Sequence, residues 1–508
     1  MNESRTKKSF KNILSGLFFR IIGMVFPFII KTIIIWTLGA KYLGLNSLFS
    51  SILSMLSLSE LGIGSALVYN MYKPLAENDN KLVCALLKAY KKYYRLIGLI
   101  ILLFGIIILP FIPKLISGTY PNEVNIYILF TIYLLDSVIS YWTSAYKCAL
   151  LEANQKNGIE NLLHSVTNRI MYTLQIIVLI LTKNYYLYLF MMPGCTLLLN
   201  FIRSKLVDRL YPNIKCEGEL DKNYIKKIFI KVRALIGHKI GTTMINSSDN
   251  IIISAFLGLE VLAIYGNYHM IVGSLISLVT IFYTAITASI GNSLIVDSKE
   301  KSLKIFNVLN FINFWLVSWC TICLVCLFQT FMEIWMGKEM MFPFYLVILF
   351  AIYFYTWLIR RIGLTYKDAA GMWEQDFWKP YIGAIVNLII NFIFVKFIGV
   401  QGVIIATIVV MGVIYFPWET FVLFKYIFKI SPKQYLLKVF QYTITMVLIC
   451  IFTYFISNLV QGSLIQKLLF KALICIILPN SIFIIIYYNT EEFIMLRNKI
   501  LYLIRKEK

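Results

Sequence analysis

The sequence predicts an all-α, polytopic membrane protein with about fourteen transmembrane helices. Of its 508 residues, 59% are hydrophobic and only 14% are charged, and the mean hydropathy is +0.76. A soluble protein of this length would need more charge to cover its surface. Apolar runs of about 18–25 residues recur along the whole chain, each long enough to cross a bilayer core about 30 Å thick. No stretch remains for a soluble catalytic domain, and we expect no catalytic residue.

The fourteen predicted spans follow one another with short connections, apart from one long loop after the sixth span. Their approximate bounds are 13–36, 46–71, 93–112, 125–147, 163–182, 185–203, 238–257, 262–286, 305–327, 343–359, 380–397, 402–424, 438–457 and 467–488.

The net charge of +23 is concentrated in alternate connections between the spans. The long loop is the most basic of them, beginning with Arg203, Lys205 and Arg209, and Arg360 and Arg361 end the tenth span. Lysine and arginine accumulate in cytoplasmic loops of membrane proteins, so the pattern predicts that both termini are cytoplasmic. We therefore interpret these cations as topology signals, and we expect no nucleic-acid partner.

The long loop divides the chain into two halves. The predicted organisation is a basic N-terminus (1–12), an N-lobe of six spans (13–203), a linker (204–237), a C-lobe of six spans (238–424), two further spans (425–488) and a basic tail (489–508). Residues 224–236 of the linker mix basic and apolar residues at helical spacing, which predicts an amphipathic helix on the inner membrane surface in contact with anionic lipids. A repeat supports the two halves, since Leu38-Gly39 and Leu257-Gly258 follow the first and seventh spans.

The first span carries two cations, Arg20 and Lys31. They are eleven residues apart, so on a helix both side chains share one face, separated by roughly 16 Å along the axis. A cation at membrane depth costs about 2.5–3.5 kcal/mol on insertion scales. Two on one face indicate a polar cavity and an anionic ligand. The alternative is that each side chain extends to the nearest membrane interface.

Five further polar residues within predicted spans are candidate site residues. Arg169 could face the same cavity or reach the inner interface. The carboxylates of Glu60, Asp136 and Asp249 could pair with a cation, bind sodium or exchange a proton, or stay neutral in a hydrogen-bonded interior. His269 could relay protons or pack between helices. Proton or sodium coupling is thus left open, and we expect no other cofactor.

Three cysteines form a CxxCxxC run in the ninth span: Cys320, Cys323 and Cys326. No histidine or fourth ligand accompanies them in the sequence. Because cysteine behaves as a small hydrophobic residue inside apolar helices, we interpret the run as packing and expect no metal site.

Two segments resemble a known family. Residues 38–49, LGAKYLGLNSLF, continue through Leu56-Ser-Leu-Ser-Glu60-Leu-Gly-Ile-Gly64-Ser-Ala66, and Asn246-Ser-Ser-Asp249 lies in the seventh span. These segments resemble bacterial polysaccharide (Wzx-type) flippases for O-antigen, capsule or teichoic repeat units. That family belongs to the multidrug/oligosaccharidyl-lipid/polysaccharide (MOP) exporter superfamily.

The resemblance implies two six-helix lobes in a V-shaped arrangement plus two C-terminal helices. It also implies a substrate, an undecaprenyl-diphosphate-linked oligosaccharide flipped to the outer leaflet of the bacterial plasma membrane. A polysaccharide polymerase and a chain-length regulator would be partners in such a pathway. Arg20, Lys31 and Arg169 would then contact the diphosphate.

Two other functions remain as alternatives. A drug or cation exporter of the same superfamily would share the fold, and we expect it to carry acidic residues in its cavity. A membrane polysaccharide polymerase or glycosyltransferase generally needs a catalytic carboxylate or large external loops, whereas the predicted external connections are short.

Overall fold

The structure is a computed structural model that describes residues 23–57 and 63–507. Within these residues every regular element is a helix. In this described part of the chain, ten helices are long and apolar enough to cross a membrane, or eleven when the bent pair Ile126–Trp142 and Ala145–Ala153 counts as one span. Gly23–Thr37 is a shorter apolar helix. The protein is therefore a polytopic all-α membrane protein, and this prediction is confirmed.

The chain divides into two compact units, Met1–Gly266 and Asn267–Lys508. The helices of unit 1 are α1 (Gly23–Thr37), α2 (Ala40–Leu56), α3 (Ile63–Ala76), α4 (Asn80–Ile108), α5 (Ile126–Trp142), α6 (Cys148–Ala153), α7 (Asn157–Thr182), α8 (Tyr185–Leu210) and α9 (Lys222–Leu257). Short 3-10 turns follow α4 at Leu109–Leu115 and precede α6 at Ala145–Lys147. Helix α10 (Leu259–Val296) begins in unit 1 and continues into unit 2.

The helices of unit 2 that follow α10 are α11 (Lys299–Met336), α12 (Phe344–Ile359), α13 (Arg361–Ala369), α14 (Lys379–Ile398), α15 (Val400–Val409), α16 (Phe416–Val422), α17 (Lys433–Asn458), α18 (Leu464–Tyr487) and α19 (Glu491–Glu507). Two π-helical turns, Val410–Tyr415 and Leu423–Phe428, lie on either side of α16. Helix α11 is the centre of this unit, because α12, α17 and α18 all pack against it.

Polar residues at the helix starts explain several of these boundaries. The side chain of Asp79 accepts the backbone N–H of Leu82 at the start of α4, and Asn125 and Asn184 do the same for α5 and α8. Ser463 and Gln466 form a reciprocal capping box at the start of α18. These side chains satisfy backbone donors that the first turn of a helix leaves without an internal partner.

Each predicted span overlaps a helix, but some helices extend beyond the prediction. The amphipathic segment 224–236 is not a separate helix, since α9 runs unbroken from Lys222 to Leu257 through the seventh predicted span. Helix α9 packs on α2 and α3, which places it in unit 1. The predicted lobes would start the second half at residue 238, and those lobe bounds stay a prediction.

The two repeated Leu-Gly segments share one backbone geometry. Gly39 has φ 101° just before α2, and Gly258 has φ 90° just before α10. Glycine adopts this left-handed region without the steric cost that a side chain brings. The same turn thus joins α1 to α2 and α9 to α10.

Candidate functional site

A cavity of about 600 Å³ lies inside unit 1. Its polar lining comes from six helices and consists of Ser50, Ser54, Ser57, Tyr90, Tyr94, Tyr133, Asp136, Ser137, Ser140, Tyr141, Cys148, Glu152, His164, Thr196, Asn200 and Arg203. Among the described residues, Leu53, Gly64, Ala145, Met192 and Leu199 also line it. Protein sites for small ligands usually measure about 300–1,000 Å³, so this cavity has the size of a ligand site.

Two helices supply most of the hydroxyl groups. Ser50, Ser54 and Ser57 are spaced by four and three residues on α2, so they share one helix face. Ser137 and Ser140 follow Asp136 on α5. The serine spacing on α2 is visible in the sequence, and it is the signal that could have revealed this wall.

Asp136 is the predicted acidic residue that the structure places in the cavity. Its side chain is half-buried, and its Oδ1 accepts a hydrogen bond from Thr196 Oγ1 on α8 at 2.6 Å. The hydroxyl orients the carboxylate and satisfies one of its acceptor positions.

Arg203 forms a buried ion pair beside the cavity. Its Nε donates to Glu160 Oε2 at 3.0 Å, its Nη2 contacts the other oxygen of that carboxylate, and its Nη1 donates to Asn200 Oδ1 at 2.6 Å. Asn200 in turn donates to Thr143 Oγ1 at 2.5 Å. Arg203, predicted to be one of the topology cations, thus also forms a buried ion pair, and the position of a charge at a helix end does not reveal that partner.

Tyrosine rings form another wall. The rings of Tyr90 and Tyr94 lie 4.5 Å apart, and Tyr94 and Tyr141 lie 5.4 Å apart. The hydroxyls of Tyr90 and Tyr94 hydrogen-bond at 2.9 Å. A Cβ on Gly64 would stand 2.7 Å from the Tyr90 hydroxyl, so only glycine leaves room for this pair.

Lys31 and Arg169 lie on helices that contact each other. The rings of Phe26 on α1 and Tyr172 on α7 stack at 6.0 Å, with Lys31 five residues after Phe26 and Arg169 three residues before Tyr172. Both cations are half-buried. The Nζ of Lys31 donates to the carbonyl oxygen of Gly266 at 2.8 Å, which ties α1 to the first part of α10.

Asp249 and His269 lie away from the cavity lining. Asp249 is buried in α9, with the Tyr265 hydroxyl 3.5 Å from its Oδ2. The neighbouring Asn250 donates to Ser51 Oγ at 2.8 Å, so polar residues join α9 to α2 here. His269 belongs to unit 2, where its ring centroid lies 6.0 Å from that of Tyr353.

The other two predicted site residues, Arg20 and Glu60, lie outside the described residues. The structure therefore brings Asp136 into the cavity and places Lys31 and Arg169 on neighbouring helices. It groups neither Asp249 nor His269 with them. The residues that sequence reasoning missed are the cavity serines and tyrosines, Glu152, His164, Asn200 and Arg203.

A second charged cluster is buried in unit 2. Glu419 Oε1 accepts from Arg360 Nη1 at 2.5 Å and from Lys379 Nζ at 2.8 Å. Asp376 Oδ2 accepts from Lys379 at 2.7 Å and from Lys367 at 2.8 Å. All five side chains are buried. Arg360, interpreted from sequence as a topology marker, is also part of an ion-pair network that links the end of α12 to α13, α14 and α16.

The cysteines of the ninth span lie on α11, which packs against α18. Cys326 on α11 and Cys475 on α18 are both buried. All nine cysteines are free thiols. In the part of the chain that the structure describes, no group of three or more histidine, cysteine or acidic side chains is arranged to hold a metal ion.

Comparison with known proteins finds the same fold in solved structures of membrane transporters. No family model and no curated protein sequence matches the chain. Among solved structures, the lipid II flippase MurJ in an inward closed conformation is similar with a TM-score of 0.68 and 15% identity, over 94% of this chain and 98% of that one.

Multidrug exporters have the same fold. An inward-facing MATE family transporter of the MOP superfamily gives a TM-score of 0.60 at 14% identity over 80% of this chain and 98% of that one. A variant of the Vibrio cholerae MATE transporter VcmN gives a TM-score of 0.55 at 12% identity, over 83% of this chain and 98% of that one. The likeness thus defines the fold, which flippases and drug exporters share.

Proposed function

We propose that this protein is a flippase that moves an undecaprenyl-diphosphate-linked oligosaccharide from the cytoplasmic to the outer leaflet of the bacterial plasma membrane. The observation that carries the proposal is the pair Lys31 and Arg169 on two contacting helices of a fold shared with a lipid-linked substrate flippase. Both termini would be cytoplasmic, and the product would enter surface polysaccharide synthesis such as O-antigen or capsule, alongside a polymerase and a chain-length regulator.

The chemistry of the substrate explains why cations are needed within the membrane. A diphosphate is anionic and loses hydration when it leaves the interface, so it must meet fixed positive charge. Arginine binds phosphate oxygens through a planar fork, and lysine binds them as a point charge. If α1 and α7 cross in the same direction, as the predicted topology requires, Lys31 and Arg169 are roughly 12 Å apart along the axis. They would contact the diphosphate in succession during alternating access.

A vesicle assay tests this function. Purified protein is reconstituted with fluorescent undecaprenyl-diphosphate-linked oligosaccharide, and arrival in the outer leaflet is read by quenching. Lys31→Met and Arg169→Met should each lower the transport rate at least about tenfold, the loss expected when one charge-assisted hydrogen bond of about 1.5–3 kcal/mol is removed. Lys31→Arg, which keeps the charge, is the matched control and should retain most activity. Equal rates for Lys31→Met and wild type would contradict the proposal.

A second candidate function follows from the carboxylates of the cavity. Asp136 and Glu152 line it, and acidic residues are what an exporter of organic cations would need. In that case the protein would move a cation such as ethidium against its gradient. Asp136→Asn would then abolish ethidium efflux from cells. Neither the wild type nor this variant would flip the lipid-linked oligosaccharide. Wild-type flipping without ethidium efflux would exclude this candidate.

Asp136 is also where proton or sodium coupling would act in either function. A carboxylate that takes up an ion in one conformation and releases it in another links transport to the ion gradient. Under the flippase proposal, wild-type transport should slow when the proton and sodium gradients are dissipated. The transport rate of Asp136→Asn should be the same with and without these gradients.

A further inference from the structure

We propose that the unit 1 cavity is a subsite for the uncharged sugar residues of the substrate, separate from the cations that meet the diphosphate. The inference rests on the proposed flippase function and assigns the sugar and the diphosphate of the substrate to different binding residues. The cationic pair Lys31 and Arg169 is not among the lining residues of the cavity.

The charge of the lining excludes a diphosphate from this cavity. Arg203 is the one lysine or arginine among the lining residues described, and Glu160 already engages two of its nitrogens. The lining also contains the carboxylates of Asp136 and Glu152. An anionic group placed here would meet two acidic side chains and a cation that is already neutralised, so repulsion dominates.

Uncharged sugars match the lining because they need both donors and acceptors. Each sugar hydroxyl donates one hydrogen bond and accepts others, and serine, tyrosine and asparagine side chains offer both roles. The lining presents Ser50, Ser54 and Ser57 on one helix and Ser137 and Ser140 on another. Asp136 adds a carboxylate acceptor, held in place by Thr196 at 2.6 Å.

Aromatic rings supply the second element of sugar recognition. The C–H face of a sugar ring is apolar and packs on the face of an aromatic side chain. Tyr90, Tyr94 and Tyr141 form a contiguous aromatic group at the cavity, with ring separations of 4.5 and 5.4 Å. With a volume of about 600 Å³, the cavity would hold a short oligosaccharide and not an extended polymer.

A native thiol reports occupancy of the cavity. Cys148 is one of the lining residues. Cys84, which accepts the backbone N–H of Lys215 at 3.2 Å, is outside the lining and serves as an internal reference. The rate of N-ethylmaleimide addition to both cysteines in the full-length protein can be followed by peptide mass spectrometry.

The experiment compares four probes at concentrations up to their solubility limits: maltotriose, chitotriose, methylenediphosphonate and tetraphenylphosphonium. At least one of the two trisaccharides should protect Cys148, halving its labelling rate when the sugar concentration equals its Kd, while Cys84 reacts as before. Protection by methylenediphosphonate or tetraphenylphosphonium without protection by a trisaccharide would overturn the inference. So would protection by none of the four.

A transport comparison separates this inference from the proposed function. Ser140→Trp, or Ser54→Trp if the first variant folds poorly, fills part of the cavity. Ser481→Trp, at an exposed position of α18, is the matched control. Cavity filling should lower flipping of an undecaprenyl-diphosphate-linked glucose trisaccharide at least tenfold, yet leave flipping of undecaprenyl diphosphate unchanged. Equal loss for both lipids would overturn the subsite. If the wild type flips neither lipid, the proposed function fails while the labelling result still decides the subsite.

Discussion

At the scale of single residues, a buried charge is informative only together with its partner. Arg203 and Arg360 both lie at the ends of apolar stretches, and both are enclosed with a glutamate. Other cations near helix ends, such as Lys304 near the start of α11, are exposed. Sequence position alone cannot distinguish these cases, because the glutamate partners are 43 and 59 residues away in the chain.

The Arg203–Glu160 pair gives a first stability prediction. Glu160→Ala leaves the Arg203 guanidinium buried without its carboxylate, and breaking a buried pair on one side costs about 3–5 kcal/mol. Asp208→Ala removes the partner of Lys147 from a pair whose aspartate side chain is 60% exposed, so it should cost less than about 1 kcal/mol. Thermal unfolding in detergent should show a large loss of stability for Glu160→Ala and little change for Asp208→Ala. Equal losses would contradict the buried-pair account.

At the scale of helices, one glycine sets how closely α2 approaches the start of α10. A Cβ on Gly44 would lie 2.2 Å from the carbonyl oxygen of Leu259, a backbone atom that cannot move aside as a side chain can. Gly44 lies in the segment that resembles polysaccharide flippases. The physical reason for a glycine there is this helix contact.

Gly44→Ala should therefore force α2 and α10 apart. Overpacking costs about 1–3 kcal/mol, and the backbone contact places this variant at the upper end of that range or beyond. Gly158→Ala on α7 is the matched control, since no atom lies within 4 Å of its added Cβ. The fraction of protein that stays monodisperse on size-exclusion chromatography after heating should fall for Gly44→Ala and be unchanged for Gly158→Ala. A stable Gly44→Ala variant would show that this contact is not required.

The ion-pair network of unit 2 holds helix ends together. Glu419→Ala would leave Arg360 and Lys379 buried without the carboxylate they share, and we expect a loss of about 3–5 kcal/mol or more. The comparison variant is Glu491→Ala, whose partner Lys304 is 3.7 Å away and whose pair is largely exposed. Denaturant titration of both variants measures the difference. A change below about 1 kcal/mol for Glu419→Ala would argue against a structural role for the network.

At the scale of the whole molecule, the sequence predicted the fold class but not the site. Apolar length and periodicity are local properties, so every predicted span overlaps a helix. The cavity depends on α2, α4, α5, α6, α7 and α8 packing together, which no local pattern encodes. Asp136 was recognisable because a carboxylate inside an apolar span is costly wherever it points. Asn200 and the tyrosines were not recognisable, because they are common in such helices.

The predicted topology has its own test at Cys216, in the loop between α8 and α9. Burial raises the pKa of the Cys216 thiol. Less thiolate is then present at neutral pH, so maleimide addition should be slow and should accelerate about tenfold per pH unit below that pKa. A membrane-impermeant maleimide should reach Cys216 in inverted vesicles and not in intact cells. Loss of labelling in Cys216→Ser shows that the label is on Cys216. Labelling in intact cells would show that the orientation is the reverse of the predicted one.

The two π-helical turns on either side of α16 bear on the position of Glu419. A π turn contains one residue more than an α turn. A π-helical turn rotates by less than about 100° per residue, so its extra residue leaves the following helix in phase, with Glu419 still facing Arg360 and Lys379. Proteins of this fold that are one residue shorter within this turn should therefore keep the network.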